Sequence, residues 1–295
     1  MKRINAVLSL AVITSATALS LFAQAPALDA LNASLSVQGL ALTVPAVPAP
    51  APYGAGVLKS NLTGEQLFAY LHTATDFSAQ KTPSSYKASK AFMYSKADNT
   101  GCNGTPGILT LYSQVCAKGS SSDGNSYKEQ ADANSDGVAG DFINAEHIWP
   151  QSYFNSNLPM VADLHHLAAT FSVPNGRRGN LKFGMVANSS YATSAGSKLG
   201  GGMYEPANAA KGNVARAMFY FVVRYYDRSI RNGMNYSEFW TKNLPMLLEW
   251  NRQDPPDANE LRRNDQVESY QGNRNPFIDD YTLADKIGTA VFAAH

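Results

Sequence analysis

Cysteine is almost missing from this chain. Two residues, Cys102 and Cys116, in a length of 295 exclude a disulfide-dense scaffold and a four-cysteine zinc centre. Histidine is nearly as sparse, with five residues. None stands in an H-E-x-x-H pattern, which removes the common helix-borne zinc hydrolase site. Charge is low too: 16% of residues, with 24 Lys+Arg against 23 Asp+Glu and a formal net charge of +1. A chain balanced in this way is no polycation, so any grip on a polyanion has to come from a local basic groove. After the first 25 residues no apolar run is long enough to span a bilayer, and no internal repeat is visible. What is present is 44% hydrophobic, enough for a sizeable core in one large domain or two small ones.

Residues 1–25 read as a secretory signal peptide. A basic "MKR" precedes an apolar stretch of small residues, and Ala23-Gln24-Ala25 offers a cleavage site. A membrane anchor is the alternative, and the serines and threonines that interrupt the stretch count against it. Residues 26–60 are rich in Ala, Pro and Leu, and "TVPAVPAPAPYGAG" reads as an extended linker. The folded body is expected over 61–290. Export, to the periplasm or the exterior, makes a Cys102–Cys116 pair the expectation. The closed loop of about 15 residues is worth roughly 3 kcal/mol in the chain-entropy view.

Within the body, Thr63 and Gln66 form a capping-box pattern ahead of Leu67, Tyr70 and Leu71 at helical spacing. "GILTLYSQV" alternates like a strand beginning at Ile108 and Leu109. The C-terminal third is helical. Val214, Ala217, Met218, Phe221, Val222 and Tyr225 share one face. A second helix is expected around Pro245–Asn251, and a third from Asp257, with Glu260 three residues on, to a stop near Gly272.

The chemistry-bearing residues lie between. "NAEHIWPQSYF" joins Glu146 to His147 and then bends at Trp149-Pro150. A carboxylate ligates Mg²⁺ or Ca²⁺, and a neutral imidazole is a general base near pH 7. Taken alone, the run is equally a surface Glu-His pair beside a buried Trp149. "DLHHLAATFSVPNGRRGNLKFG" follows. On a strand, Leu164 and His166 would share one face, and His165 and Leu167 the other. "PNGRRGN" is a turn by composition, with Asn175 as a hard oxygen donor and Arg177 and Arg178 as phosphate forks. The plain alternative is an Asn-Gly turn with solvated arginines. A third stretch, "DANSDGVAGD", sets Asp132, Asn134 and Asp136 at the spacing of a Ca²⁺ loop, with Asp141 placed to close a shorter version of it. A flexible Asp/Gly-rich loop is the alternative.

Taken together and in order, "NAEHIWPQSYF", "DLHHL" and "NGRRGN" resemble the bacterial endonuclease I family, secreted or periplasmic nucleases of the ββα-metal (His-Me finger) type. "KGNVARAMFYFVVRY" and "LLEWNRQDPPDANELRRNDQVESYQGNRNPFID" extend the resemblance, which covers roughly residues 61–280. It implies an α+β fold with a ββα-metal core and a helical C-terminal part. It implies a strand carrying His147, a strand near "DLHHL", and a helix carrying Asn175, against the turn read from composition. By matching position, His147 is the general base, and Glu146 and Asn175 are the metal ligands. Mg²⁺ is the expected catalytic cofactor, with Mn²⁺ as substitute; a structural Ca²⁺ stays open, on the Asp132–Asp141 spacing alone. Some relatives place a transition-state arginine soon after the histidine. None stands between Gln151 and Ala162 here, so Arg178, or else Arg177, is assigned that work.

The implied activity is metal-dependent hydrolysis of phosphodiesters in DNA, with RNA open as a second substrate, by a monomer that leaves 5′-phosphate ends. Gln151, Arg177, Arg262, Arg263 and Arg274 are the expected substrate contacts. Gln271, Asn273 and Asn275 accompany Arg274 in "QGNRNPF", and Lys211 and Arg216 lie on the earlier helix. The competing reading of those charges is internal pairing, notably of Arg262 or Arg263 with Asp265 or Glu268. A second function class is a non-catalytic exported module that binds DNA or a polymer. The His147, Glu146 and Asn175 set counts against it, since binding needs no base. A zinc hydrolase using His147, His165 and His166 is a third, disfavoured by the adjacency of the last two.

Overall fold

The computed structural model describes residues 61–76, 83–102, 107–117 and 143–295. The expected signal peptide, the linker and the Asp132–Asp141 loop lie outside them. Helix α1, Gly64–Thr75, buries Leu67, Phe68 and Leu71, and Thr63 stands at its N-cap without a side-chain cap bond. Helix α2, Tyr86–Phe92, is capped by Ser85 and runs on into a π-helical turn over Met93–Ala97.

The strand expected from Ile108 onward is cut short. Strand β1 is Ile108–Leu109, and it returns as β2, Cys116–Ala117, antiparallel. Thr110 ends it, because its hydroxyl and its N–H both bond the Val115 carbonyl, and Gln114 takes a left-handed φ of 51°. Local side-chain bonding of this kind competes with strand extension. The Cys102–Cys116 disulfide forms as expected, with Cα atoms 5.8 Å apart.

Strand β3, Ile143–His147, pairs antiparallel with β4, Leu167–Phe171, from Ile143↔Phe171 to His147↔Leu167. Helix α3, Ser172–Arg178, follows β4 directly. Asn175 therefore sits on a helix, as the resemblance implied and composition did not. Pro174 is tolerated in the first turn, where its missing N–H is not needed. "DLHHL" becomes a strand only at Leu167. Before it, Asp163 folds its carboxylate onto the His165 N–H at 3.0 Å and its carbonyl accepts from the His166 N–H, an Asx-type turn. The expected facing of Leu164 with His166 is therefore absent.

A four-stranded sheet follows, in the order β5-β8-β7-β6, from Lys182–Phe183, Tyr191–Ala192, Lys198–Gly200 and Met203–Glu205. The chain is then helical. Helix α4, Asn208–Tyr225, is buried on nearly every side, which explains why its apolar stripe is so broad. Short α5, Tyr236–Phe239, leads to α6, Leu244–Gln253, with Pro245 in its first turn. Helix α7, Ala258–Gln271, starts and stops where its caps say. The Asp257 carboxylate accepts from Asn259 and Glu260 N–H, and Gly272 takes φ 83°. Short helices α8, Pro276–Asp279, α9, Leu283–Ile287, and α10, Thr289–Ala294, close the body. The architecture is α+β, with small sheets set on a helical core.

Trp149 ties the two parts together. Its ring stacks on Phe221 of α4 at 5.1 Å, and its Nε1 donates to the Ile230 carbonyl at 3.0 Å. The bend after His147 is thereby nailed to the main core.

Candidate active site

Strand register sends neighbours to opposite faces. Glu146 lies across from Ala168 and His147 across from Leu167, so the two side chains meet different surroundings. Both are buried, at 2% and 5% exposure.

The Glu146 carboxylate is held by one oxygen. Its Oε1 accepts from the Tyr112 hydroxyl at 2.6 Å and from Arg178 Nη1 at 2.8 Å. Its Oε2 has no partner among the described residues and is not fully sealed from solvent. Burial pushes the carboxyl above its ordinary range, while Arg178 and Tyr112 pull it back. Where one oxygen is fixed and the other is open, a carboxylate is set to ligate a cation.

The His147 ring is held in the same manner. Its Nε2 lies 3.0 Å from the Val161 carbonyl. A carbonyl only accepts, so Nε2 carries the proton and Nδ1 carries the lone pair. Nδ1 has no partner among the described residues, and unlike Nδ1 of His165 and His166 it is not sealed. The ring packs by Tyr86, Phe154 and His166, at 5.2, 6.1 and 5.5 Å between centroids. Burial, with His166 beside it, lowers the imidazole to about 3, although the Val161 bond pulls the other way. The ring is neutral at pH 7.

Asn175 reaches the same strand. Its Nδ2 lies 3.5 Å from the Ala145 carbonyl, the outer limit of a bond. That orientation leaves the carboxamide oxygen free. Arg178, three residues on, covers the carbonyls of His147 and Ile148 at 2.9 and 2.7 Å. Helix α3 thus lays its side chains along β3 and satisfies an edge that would otherwise lack donors. Glu146 Oε2 and Asn175 Oδ1 are hard oxygens and few, which suits Mg²⁺, an ion that keeps several waters. Among the described residues no group of three or more His, Cys, Asp and Glu is arranged for a metal. His165 and His166 direct Nε2–H to the carbonyls of Asn273 and Met160 at 2.9 and 2.6 Å, so the three-histidine zinc arrangement is not formed.

The arginines are distributed differently from the sequence expectation. Arg178 is 1% exposed, and its hydrogen bonds go to Glu146 and main chain. Its guanidinium also lies over the Phe183 ring at 4.5 Å. It faces the Glu146 carboxylate, not solvent. Arg263 binds Asp98 and the carbonyls of Leu164 and Leu167. Arg274 is buried among Asp265, Glu268 and Asp279. Arg216 is sealed against Glu260, and Lys211 against Glu205. Arg262 is engaged with the Thr100 carbonyl and Asn259. Arg263, Arg274 and Arg216 pair internally, but Asp265 and Glu268 go to Arg274 and not to Arg262 or Arg263 as the sequence suggested; a buried guanidinium without a carboxylate is far more costly than an exposed one. Arg177 differs. It is exposed, it has no carboxylate partner among the described residues, and it lies over the Tyr191 ring at 5.4 Å. Gln151 is exposed just past the His147 bend.

A cavity of about 180 Å³ opens elsewhere, lined by Asp98, Leu111, Ala168, Asn213 and Arg263 among others. Glu146, His147 and Asn175 do not line it, so it is not this site.

Residues 63–281 match the Endonuclease I family. The chain belongs to that family. Two extracellular ribonucleases are similar to it. One, from Bacillus amyloliquefaciens, is 37% identical over 171 residues, covering 54% of this chain and 58% of that protein. The other, from Bacillus subtilis (strain 168), is 38% identical over 162 residues, covering 51% and 55%. The chain thus spans a little over half the length of these relatives. In this Endonuclease I family member, the sequence reading missed Tyr112 and the Val161 carbonyl. The first lies 34 positions from its partner, and the second is main chain, which leaves no mark in a sequence.

Proposed function

We propose that this protein is an exported, divalent-cation-dependent endonuclease that hydrolyses phosphodiester bonds of DNA and RNA, with weak sequence preference and 5′-phosphate products. The observation that carries the reading is the His147 imidazole, neutral, pinned through Nε2 and open at Nδ1. Family membership supports it, and so do the two relatives, whose names make RNA a substrate to test on an equal footing with DNA. The order β3, β4, α3, with Asn175 on the helix, supports reading this part as the ββα-metal core.

His147 Nδ1 takes a proton from a water that attacks phosphorus in line. The Val161 carbonyl fixes the tautomer and favours the imidazolium as it forms. The negative phosphate beside the ring raises its affinity for that proton, which offsets the effect of burial. Glu146 and Asn175 would hold Mg²⁺, or Mn²⁺ in its place, and the ion would neutralise charge on the phosphate oxygens. Arg178 favours the charged form of Glu146 against the effect of burial and aims the carboxylate. Arg177, two residues past Asn175 and open to solvent, is the guanidinium left to meet a phosphate.

Supercoiled plasmid, single-stranded DNA and RNA incubated in parallel with Mg²⁺, Mn²⁺, Ca²⁺ or chelator test the proposal. Cleavage in Mg²⁺ that chelator abolishes is expected. DNA that is retained but never nicked in Mg²⁺ would favour a binding module instead.

A further inference from the structure

We infer that His166 is a positioning residue for the proposed base, acting through the Met160–Ala162 turn. The inference rests on the nuclease reading for its kinetic part and on geometry alone for its structural part. Met160–Ala162 is a single 3-10 turn. His147 and His166 donate to consecutive carbonyls of it, His147 to Val161 at 3.0 Å and His166 to Met160 at 2.6 Å. Two rings 5.5 Å apart thus grip one turn, and Phe154 packs against both.

His166 also holds the other end of the excursion. Its main-chain carbonyl accepts from the Ile148 N–H at 3.0 Å, immediately after His147. One residue therefore fixes both where the His147 strand ends and where the carbonyl that reads its tautomer begins. The turn is anchored beyond His166 as well. The Asp163 N–H closes it on Met160, and the Asp163 carboxylate accepts from Tyr220, Tyr225, Gln271 and the His165 N–H, each at 2.8 to 3.0 Å. Three of these partners come from α4 and α7, so the Asp163 end is tied to the helical core. The Met160 carbonyl takes its shorter bond from the His166 ring, at 2.6 Å, beside the 3.3 Å bond from the Asp163 N–H. Without that ring, the Val161 carbonyl loses its lateral support and the His147 proton distributes over both nitrogens.

His166 does not touch the substrate and serves no proton transfer. Its Nδ1 is sealed and unpartnered, which separates it from His147. Of the two adjacent histidines, the structure assigns His166 to the proposed site and His165 to the Asn273 carbonyl and the helical core.

Two variants test this in the full chain, His166→Met, which keeps bulk without a donor, and His166→Gln, whose amide can still donate to the Met160 carbonyl. The first readout is the ¹⁵N spectrum of histidine-labelled protein in chelator, which reports the His147 tautomer without turnover. Wild type and His166→Gln are expected to show a single Nε2–H form, and His166→Met a mixture. The second is cleavage of a fluorescent DNA oligonucleotide in Mg²⁺. His166→Met is expected to lower kcat about tenfold or more, as misplaced tautomers do, with KM within about twofold. His166→Gln is expected to restore most of the rate. A folded His166→Met protein with wild-type tautomer and kcat overturns the inference. Should that variant not fold, a tautomer mixture in His166→Gln overturns it and a single form supports it. A wild-type protein that cleaves nothing fails the nuclease reading and leaves the tautomer result standing.

Discussion

Arg178 and Glu146 form an ion pair of 2.8 Å with side chains 1% and 3% exposed. Removing the guanidinium takes a buried carboxylate's ion-pair partner and the donor to two main-chain carbonyls, so Arg178→Ala is expected to destabilise the fold by about 3–5 kcal/mol. Urea unfolding at neutral pH in chelator measures it. Arg178→Lys is expected to recover little, because one ammonium cannot reach Glu146 and two carbonyls together.

Tyr112 supports the same carboxylate through its hydroxyl at 2.6 Å. Tyr112→Phe keeps the packing against Tyr204 and deletes one charge-assisted bond. The Mg²⁺ concentration for half-maximal cleavage is expected to rise about tenfold or more, as for other groups that orient metal ligands. An unchanged Mg²⁺ titration would detach Tyr112 from the site.

Acid sensitivity should come from the buried histidines. Burial lowers His165 and His166 from 6.5 to about 4 each. Between those two pH values the unfolded chain binds more protons than the native one. Stability is therefore full above pH 6.5 and falls as pH drops toward 4, by on the order of 3 kcal/mol for each histidine. Urea midpoints across that window check the slope. A flat profile would mean that the two rings are not buried as neutral groups.

Arg177→Ala is expected to raise KM with kcat nearly unchanged, and to reduce the slope of log affinity against log salt by about one contact. Arg274→Ala, at a cation enclosed by three carboxylates, is expected to act on stability instead. The contrast separates substrate charge from structural charge.

Some of this was legible beforehand and some was not. Helix α7 could be read from Asp257 and Gly272, because caps are local chemistry. Glu146, His147 and Asn175 could be singled out only through the family resemblance, since each motif alone also fitted a surface Glu-His pair or an ordinary Asn-Gly turn. The fate of the arginines could not. Whether Arg274 meets solvent or Asp265, Glu268 and Asp279 is decided by how α7 and α8 fold back on each other. The turn before Leu167 was also hidden, since alternation suggested a strand while Asp163 bonded its own neighbours.

The most direct measurement is single-turnover cleavage of labelled plasmid in Mg²⁺ at neutral pH by wild type and His147→Ala, each shown to be folded. The expected result is a rate at least about 100-fold lower for the variant, with plasmid binding retained. Cleavage at the wild-type rate would contradict the assignment of His147 as the base.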